Sequence, residues 1–256
     1  MVAPMKTLLV IDTATDICTV ACRHQGRVLQ DTRSVHRSHN TELLGMIDAL
    51  FRRASLAPRE IDALGFVAGP GSFTGIRIAA AVSQALAHGS DAVLLALNSA
   101  ELLAATVAQR EQNAANAHRH LVTVLPSRRD RYYCAQFPPL HDAPPGALPK
   151  ASVENRLLDG KQVAAEVRGL LADRPLTVAI GRGVDDAGLA ELFALDAPPG
   201  GALHKERLAV SSEALLDFAN ARFLQQDALD RSSSAAERQL AGLPIYVEGD
   251  TPWRPK

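Results

Sequence analysis

The sequence has almost no excess of charge: 27 Lys and Arg residues stand against 28 Asp and Glu, a formal net charge of −1. Without a basic surplus there is no electrostatic footprint for strong, autonomous binding to nucleic acid, so any RNA would be held mostly by something else. Cysteine is scarce, at three residues. Cys18 and Cys22 fall in one apparent strand, where four residues of extended chain separate their Cα atoms by roughly 13 Å, too far for a disulfide. No Cys-x-x-Cys pair or Cys/His cluster occurs, so neither an oxidising compartment nor a structural zinc is implied. Nowhere do about 18 apolar residues run uninterrupted, and the apolar run within residues 1–10 is too short for a signal peptide. A cytoplasmic location is the resulting expectation. Motifs of chemistry are missing as well. There is no Gly-Lys-Ser/Thr to make a P-loop, no His-Glu-x-x-His, and no Gly-x-Ser-x-Gly around Ser72.

What the chain does have is ordinary folding material. Its 256 residues are 47% hydrophobic and 21% charged, enough for a sizeable core in one large domain or two small ones. Residues 7–12 (TLLVID), 17–24 (ICTVACRH) and 27–34 (RVLQDTRS) read as three consecutive strands with tight connections, an antiparallel meander. A helix over 40–54 follows, with Asn40 or Thr41 as its cap and Glu42 in its first turn, where the helix dipole favours an acid. Residues 61–68 form a buried strand, 75–88 a helix closed by Gly89, and 92–97 another strand. Three strands, then helix, strand, helix, strand is the order of a ribonuclease-H-like lobe, half of the actin-like ATPase architecture. Beyond residue 99 the expected elements are a helix at 99–110, paired strands at 121–125 and 132–137, and a proline-rich loop over 138–149. A helix at 162–171, a strand at 176–181 and a helix at 213–225 complete the list. A second lobe beginning near residue 100 is the natural division, giving 1–100 and 101–256. No internal repeat is visible.

The strongest local feature is Gly69-Pro70-Gly71-Ser72-Phe73-Thr74-Gly75, between a strand and a helix. Its glycines permit close approach, Thr74 is placed to cap the helix, and amides at a helix start can hold an anion. Asp12, Gly71, Ser72 and Thr74 are therefore candidates for an anion or nucleotide, against the plainer reading of a tight turn in which Asp12 caps residues 13–15. The helix itself says more. At about 100° per residue, Arg77, Gln84 and His88 share one narrow stripe, and apolar or small residues cover roughly the remaining 260°. A surface helix needs an apolar stripe of little more than about 100°, so this helix is expected to be covered on two sides. The 40–54 helix shows the same tendency. A partner-binding face is assigned to Leu43, Met46, Ile47 and Leu50 with Ile76, Ala79, Ala80, Ser83, Leu86 and Ala87; the alternative is burial by the chain's own second lobe. His36 and His39 resemble a metal pair but lack a third ligand. Arg128, Arg129 and Arg131 make a basic knot beside Tyr132 and Tyr133, read as a solvated hairpin tip rather than a phosphate site.

The pieces LLVIDTAT, SHNTELLGMID and above all VAGPGSFTGIRIAAAV resemble, in order, the bacterial TsaB (YeaZ) family, strongly over residues 6–100. Later only RRDRYYCAQF and PIYV are recognisable. The resemblance implies an α/β, two-lobed, actin-like (ASKHA) fold without catalytic power or cofactor of its own. It implies a heterodimer with TsaD, the subunit that transfers threonylcarbamoyl to adenosine 37 of tRNAs reading ANN codons, made through the two N-lobe helices. It also implies TsaE with ATP or ADP as a third member, tRNA met only through the complex, and leaves open a homodimer of the isolated chain. The catalytic relative's His-x-x-x-His pair is absent. Two departures stand out: Pro126-Ser127-Arg128 where the family tends to have Asp-Ala-Arg, and Glu248 where it tends to have arginine. A stand-alone ASKHA-type small-molecule kinase or ATPase, motivated by Asp12 and the glycine loop, and an M22-type metallopeptidase are the rival readings. On the partner reading, a charge at Ala80 or Ser83 is expected to break association and spare the fold.

Overall fold

The computed structural model describes residues 7–35, 39–111, 119–128, 130–140, 147–199, 201–229 and 243–247. The chain divides into two compact units, Met1–Ser99 with Ser211–Ile245, and Ala100–Val210 with Tyr246–Lys256. The expected cut near residue 100 therefore needs a correction: the chain after it does not stay in one lobe, because residues 211–245 return to the first unit.

In the first unit β1 (Thr7–Asp12), β2 (Ile17–His24) and β3 (Arg27–Ser34) form the antiparallel meander, with Cys22 opposite Leu9 and Leu29 opposite Cys22. β4 (Ala63–Gly69) adds to β1 in parallel and β5 (Val93–Asn98) adds to β4, giving the order β3-β2-β1-β4-β5. β1 and β4 are apolar without alternation because both faces of the sheet are covered. The edge strand β3 is mostly exposed and carries Arg27, Asp31 and Arg33, a polar edge that discourages further pairing. On one face lie α1 (His39–Ala54) and α2 (Phe73–Ser90), which share a core with Leu9, Ile11, Leu64 and Phe66. On the other lies α6 (Ser212–Leu229), packed on β1, β2 and β5 with Leu215, Leu216, Phe218 and Ala219 buried. Gly65 makes room for it: a Cβ there would stand 3.2 Å from Ala219 Cβ and 3.3 Å from Val10 Cγ1.

The second unit repeats this plan. β6 (His120–Pro126), β7 (Tyr132–Phe137) and β8 (Val153–Leu158) are antiparallel; β9 (Leu176–Gly181) joins β6 in parallel and β10 (Leu203–Leu208) joins β9. The order β8-β7-β6-β9-β10 is again third-second-first-fourth-fifth. α4 (Gly160–Leu171) and the short α5 (Ala190–Phe193) precede β9 and β10. The two faces of this sheet are covered by α4, through Val163, Ala164 and Val167, and by α3 (Ser99–Glu111), through Ala100, Leu103, Ala104 and Val107. The repeat is one of topology without recognisable sequence likeness.

Several expected boundaries move for identifiable reasons. α1 begins at His39, so Asn40 and Thr41 lie inside its first turn rather than ahead of it. Strand pairing starts at Ala63 rather than Ile61 because Asp62 is a corner: its N–H donates to Thr7 O at 3.0 Å, and its carboxylate accepts from Thr7 N–H at 2.8 Å. α2 runs through Gly89 to Ser90. The left-handed residue that closes it is Asp91 (φ 57°), whose N–H donates to Ala87 O. Aspartate tolerates that region better than most side chains, which frees Gly89 to be an ordinary helical residue. α4 starts two residues earlier than expected, through a capping box in which Asp159 and Gln162 bond each other's backbone N–H. β8 and β10 have no counterpart in the sequence reading. Both are edge strands with polar stretches, and the expected strands were the apolar interior ones.

Nothing lies within 4 Å of the position a Cβ would take at Gly89. Gly89→Ala is therefore expected to raise stability by about 0.5–1 kcal/mol, the helical preference of alanine. Urea denaturation measures it; a loss of stability would contradict the continuous helix.

Candidate functional site

The glycine loop is held by backbone. Ser72 N–H donates to Ala14 O at 2.7 Å, and Thr13 Oγ1, fully buried, donates to Gly75 O at 2.7 Å. A Cβ at Gly71 would stand 2.6 Å from Ala14 O, and one at Gly75 would overlap Thr13 O. The loop has its glycines because the turn after β1 lies directly on it. Ser72, not Thr74, is the N-cap: its Oγ accepts from Gly75 N–H at 3.3 Å. Thr74 is the second residue of the helix and is exposed. The amides of Ser72, Gly75 and Ile76 are thus engaged within the fold. An anion cradle on Gly71 and Ser72 would have to displace these bonds.

Asp12 stands at the end of β1 and accepts from Ala14 N–H at 2.9 Å, capping the turn as the plainer reading held. Burial raises its pKa to about 6, the Ala14 hydrogen bond opposing that rise. Removing a carboxylate from water disfavours its charged form, and no compensating cation enters the balance.

The residues expected at a partner-binding face are turned inward. Leu43, Met46, Ile47 and Leu50 of α1, and Ile76, Ala79, Ala80, Ser83 and Ala87 of α2, are all buried within the first unit; Leu86 alone keeps part of its surface. They are the inner faces of the two helices, packed on their own sheet. The wheel argument nevertheless holds in part. α2 exposes Arg77, Gln84 and His88 as expected, with Arg77 stacked 3.7 Å from the centre of the Phe73 ring. Between that polar stripe and the core lies a flank of Thr74, Ile78, Ala81, Val82, Ala85 and Gly89, spanning roughly 100° of the wheel. Ala81 and Ala85 are exposed, and Ile78 and Val82 are only partly covered. On the neighbouring α1, Leu44 is 60% exposed. Ile78, Ala81, Val82 and Ala85 fall within the apolar arc expected from the sequence, while the residues assigned there to a partner face are the ones the sheet buries. Periodicity gives the width of an apolar arc, not which part meets the sheet.

The remaining candidates are quickly placed. His36 and Arg129 lie outside the described residues, and Glu248 does also. Among the described residues no group of three or more His, Cys, Asp or Glu could hold a metal ion, and no helix is long and apolar enough to cross a membrane. Arg128 and Arg131 do sit on a hairpin turn, closed by Ser127 N–H to Arg131 O and Arg131 N–H to Arg128 O.

A five-stranded mixed sheet in third-second-first-fourth-fifth order, flanked by helices on both faces and built twice, defines the actin-like (ASKHA, ribonuclease-H-like) class. Within that class the likeness is specific. A family model described as TsaD, tRNA N6-adenosine threonylcarbamoyltransferase, matches residues 32–139. The tRNA threonylcarbamoyladenosine biosynthesis protein TsaB of Haemophilus influenzae is 32% identical over 130 residues, 51% of this chain and 53% of that protein. TsaB of Escherichia coli strain K12 is 28% identical over a stretch of the same length, 51% of this chain and 54% of its own. The chain spans about half the length of the curated relatives it matches. In structure it is similar to YeaZ from Pseudomonas aeruginosa, at a TM-score of 0.68 and 26% identity over 95% of this chain and 100% of that one. The resemblance to the TsaB (YeaZ) family is carried by sequence over half of the chain and by fold over nearly all of it.

Asp12 supplies a test of the loop's electrostatics. Its folded pKa of about 6 lies above the ordinary 3.8, so the stability it contributes is complete below the ordinary value and is lost as pH rises through the folded one. Asp12→Asn keeps the acceptor for Ala14 N–H. It is expected to gain about 1–2 kcal/mol over the parent at pH 7.5 but little at pH 4. Denaturation at the two pH values that gave the same difference would contradict the raised pKa.

Proposed function

We propose that this chain is a non-catalytic subunit in the formation of N6-threonylcarbamoyladenosine on tRNA, acting by binding a TsaD-type transferase through the outer flanks of α1 and α2. The observation that carries the reading is the α2 flank itself. Ile78, Ala81, Val82 and Ala85 present apolar and small side chains beside a fully occupied core, a surface that lets another helix come close. The likeness to TsaB and the match to a TsaD model support this choice of partner. TsaE with ATP or ADP joins the pair, and tRNA is met through the assembled complex, in keeping with a net charge of −1. The isolated chain can use the same flank for a homodimer, and the work is done in the cytoplasm.

A stand-alone kinase or ATPase is less well supported. Asp12 caps its own turn and disfavours charge, and the loop amides named above are engaged. Among the described residues no group of three or more His, Cys, Asp or Glu favours the M22-type peptidase reading.

The test moves outward from the residues first chosen. Ala80 and Ser83 are buried, at 4% and 0% exposure, so a charge there would sit unpaired in the core and unfold the unit. Ala81→Glu and Ala85→Glu point to solvent and are expected to keep the parent's circular dichroism and melting temperature. Each is expected to weaken association with the cognate TsaD at least roughly tenfold, about 1.4 kcal/mol or more. Undiminished co-purification of both variants would overturn the placement.

A further inference from the structure

Loops 126–132 and 183–188 of the second unit enclose a cleft of about 460 Å³, lined by Arg128, Asp130, Arg131, Tyr132, Asp185 and Gly188 among others. It opens at the carboxyl ends of β6 and β9, two adjacent parallel strands, the end of an α/β sheet where ligands characteristically bind. Its wall contains an anomaly. Tyr132 is 3% exposed, and its hydroxyl, shielded from water, has no hydrogen-bond partner among the described residues. A buried hydroxyl left unpaired costs about 1–3 kcal/mol, so this one is out of balance unless something else engages it. Gly188 lies against it: a Cβ at that position would overlap Tyr132 Oη and stand 3.6 Å from Asp130 Oδ1. The turn that covers the hydroxyl thus has no side chain at the point of contact, and Gly183 (φ 84°) gives the same turn a second yielding point.

The charges around the hydroxyl are ordered. Burial first, then the carboxylates of Asp185 and Asp130, hold the Tyr132 pKa above its ordinary value, which places the negative charge near the phenol. Asp185 is fixed in position by accepting the Ala187 N–H at 3.1 Å. The cations are at the rim: Arg128 is exposed, and the Arg131 guanidinium stands 3.9 Å from the Asp159 carboxylate. Two carboxylates beside a phenol oxygen suit an ammonium group, whose three N–H donors match three acceptors. Two guanidiniums at the mouth suit a carboxylate. A phosphate would meet Asp130 and Asp185 as like charges.

We propose that this cleft binds a small zwitterion of the amino-acid kind, its ammonium group directed at Tyr132, Asp130 and Asp185 and its carboxylate at Arg128 and Arg131. Binding requires the turn at Gly188 to lift from the hydroxyl. The site lies wholly within the second unit and does not depend on the partner-binding reading of the first.

Calorimetric titration of the full chain with glycine, L-serine and L-lysine, each to about 10 mM, tests the proposal, with ethylamine, acetate and inorganic phosphate as single-charge probes. At least one amino acid is expected to bind while the single-charge probes bind roughly tenfold more weakly or not at all. Tyr132→Phe is expected to weaken that binding about tenfold and, without ligand, to be as stable as the parent or more so, because the unpaired hydroxyl is gone. Asp185→Asn, which keeps the acceptor for Ala187 N–H, should weaken binding likewise. Absence of amino-acid binding, binding indifferent to both substitutions, equal binding of a single-charge probe, or a Tyr132→Phe chain less stable than the parent would each overturn it.

Discussion

Backbone meets backbone where the turn after β1 lies on the glycine loop, and the geometry of the first unit depends on that contact. Ala14 O accepts from Ser72 N–H and crowds Gly71, while Thr13 both bonds to and crowds Gly75. With no side chain able to intervene, the start of α2 is fixed against the end of β1. The rotation of α2 about its own axis follows, placing Ile76, Ala79, Ala80, Ser83 and Ala87 on the sheet and Ala81 and Ala85 in water. A loop with the composition of a phosphate cradle is thus used for close packing, and it sets the face that the next helix presents.

The second unit has the same strand order on a different economy of residues. Its α3 and α4 cover the two sheet faces as α6 and the α1–α2 pair cover those of the first unit. Its turn after β6 has Arg128, Asp130 and Arg131 where the corresponding turn after β1 has Thr13, Ala14, Thr15 and Asp16. The first unit seals that end of the sheet with buried Thr13; the second leaves a cleft there, with Tyr132 beneath a glycine turn. One plan has therefore been finished in two ways, closed around a helix start in one unit and with an open cleft in the other.

The interior strands and the long helices were legible in the sequence because burial on both faces writes itself as apolar runs, and the meander because its turns are tight. What escaped was set by contacts the sequence does not order. β8 and β10 are polar edge strands, and α6 returns across more than a hundred residues to a sheet that its own pattern cannot name. Gly89 looked like a helix end until Asp91 was seen to take the left-handed position. The width of the apolar arc on α2 is legible in the sequence but its phase is not, so the residues expected at a partner face are ones the sheet buries. Tyr132 carried no signal at all, since an unpaired hydroxyl is a property of its surroundings.

The outer flank of α2, proposed as the surface a TsaD-type partner covers, must lose solvent access when that partner binds. The native thiols Cys18, Cys22 and Cys134 are at most 1% exposed, so one cysteine introduced at position 81 or 85 is the reactive one. Its maleimide labelling rate, with and without the cognate TsaD, reads coverage of the flank, and a cysteine at the exposed Arg168 of α4 serves as the reference. The account predicts labelling slowed by the partner at 81 and 85 and unchanged at 168. Equal rates at 81 and 85 in a mixture where the complex demonstrably forms would contradict it.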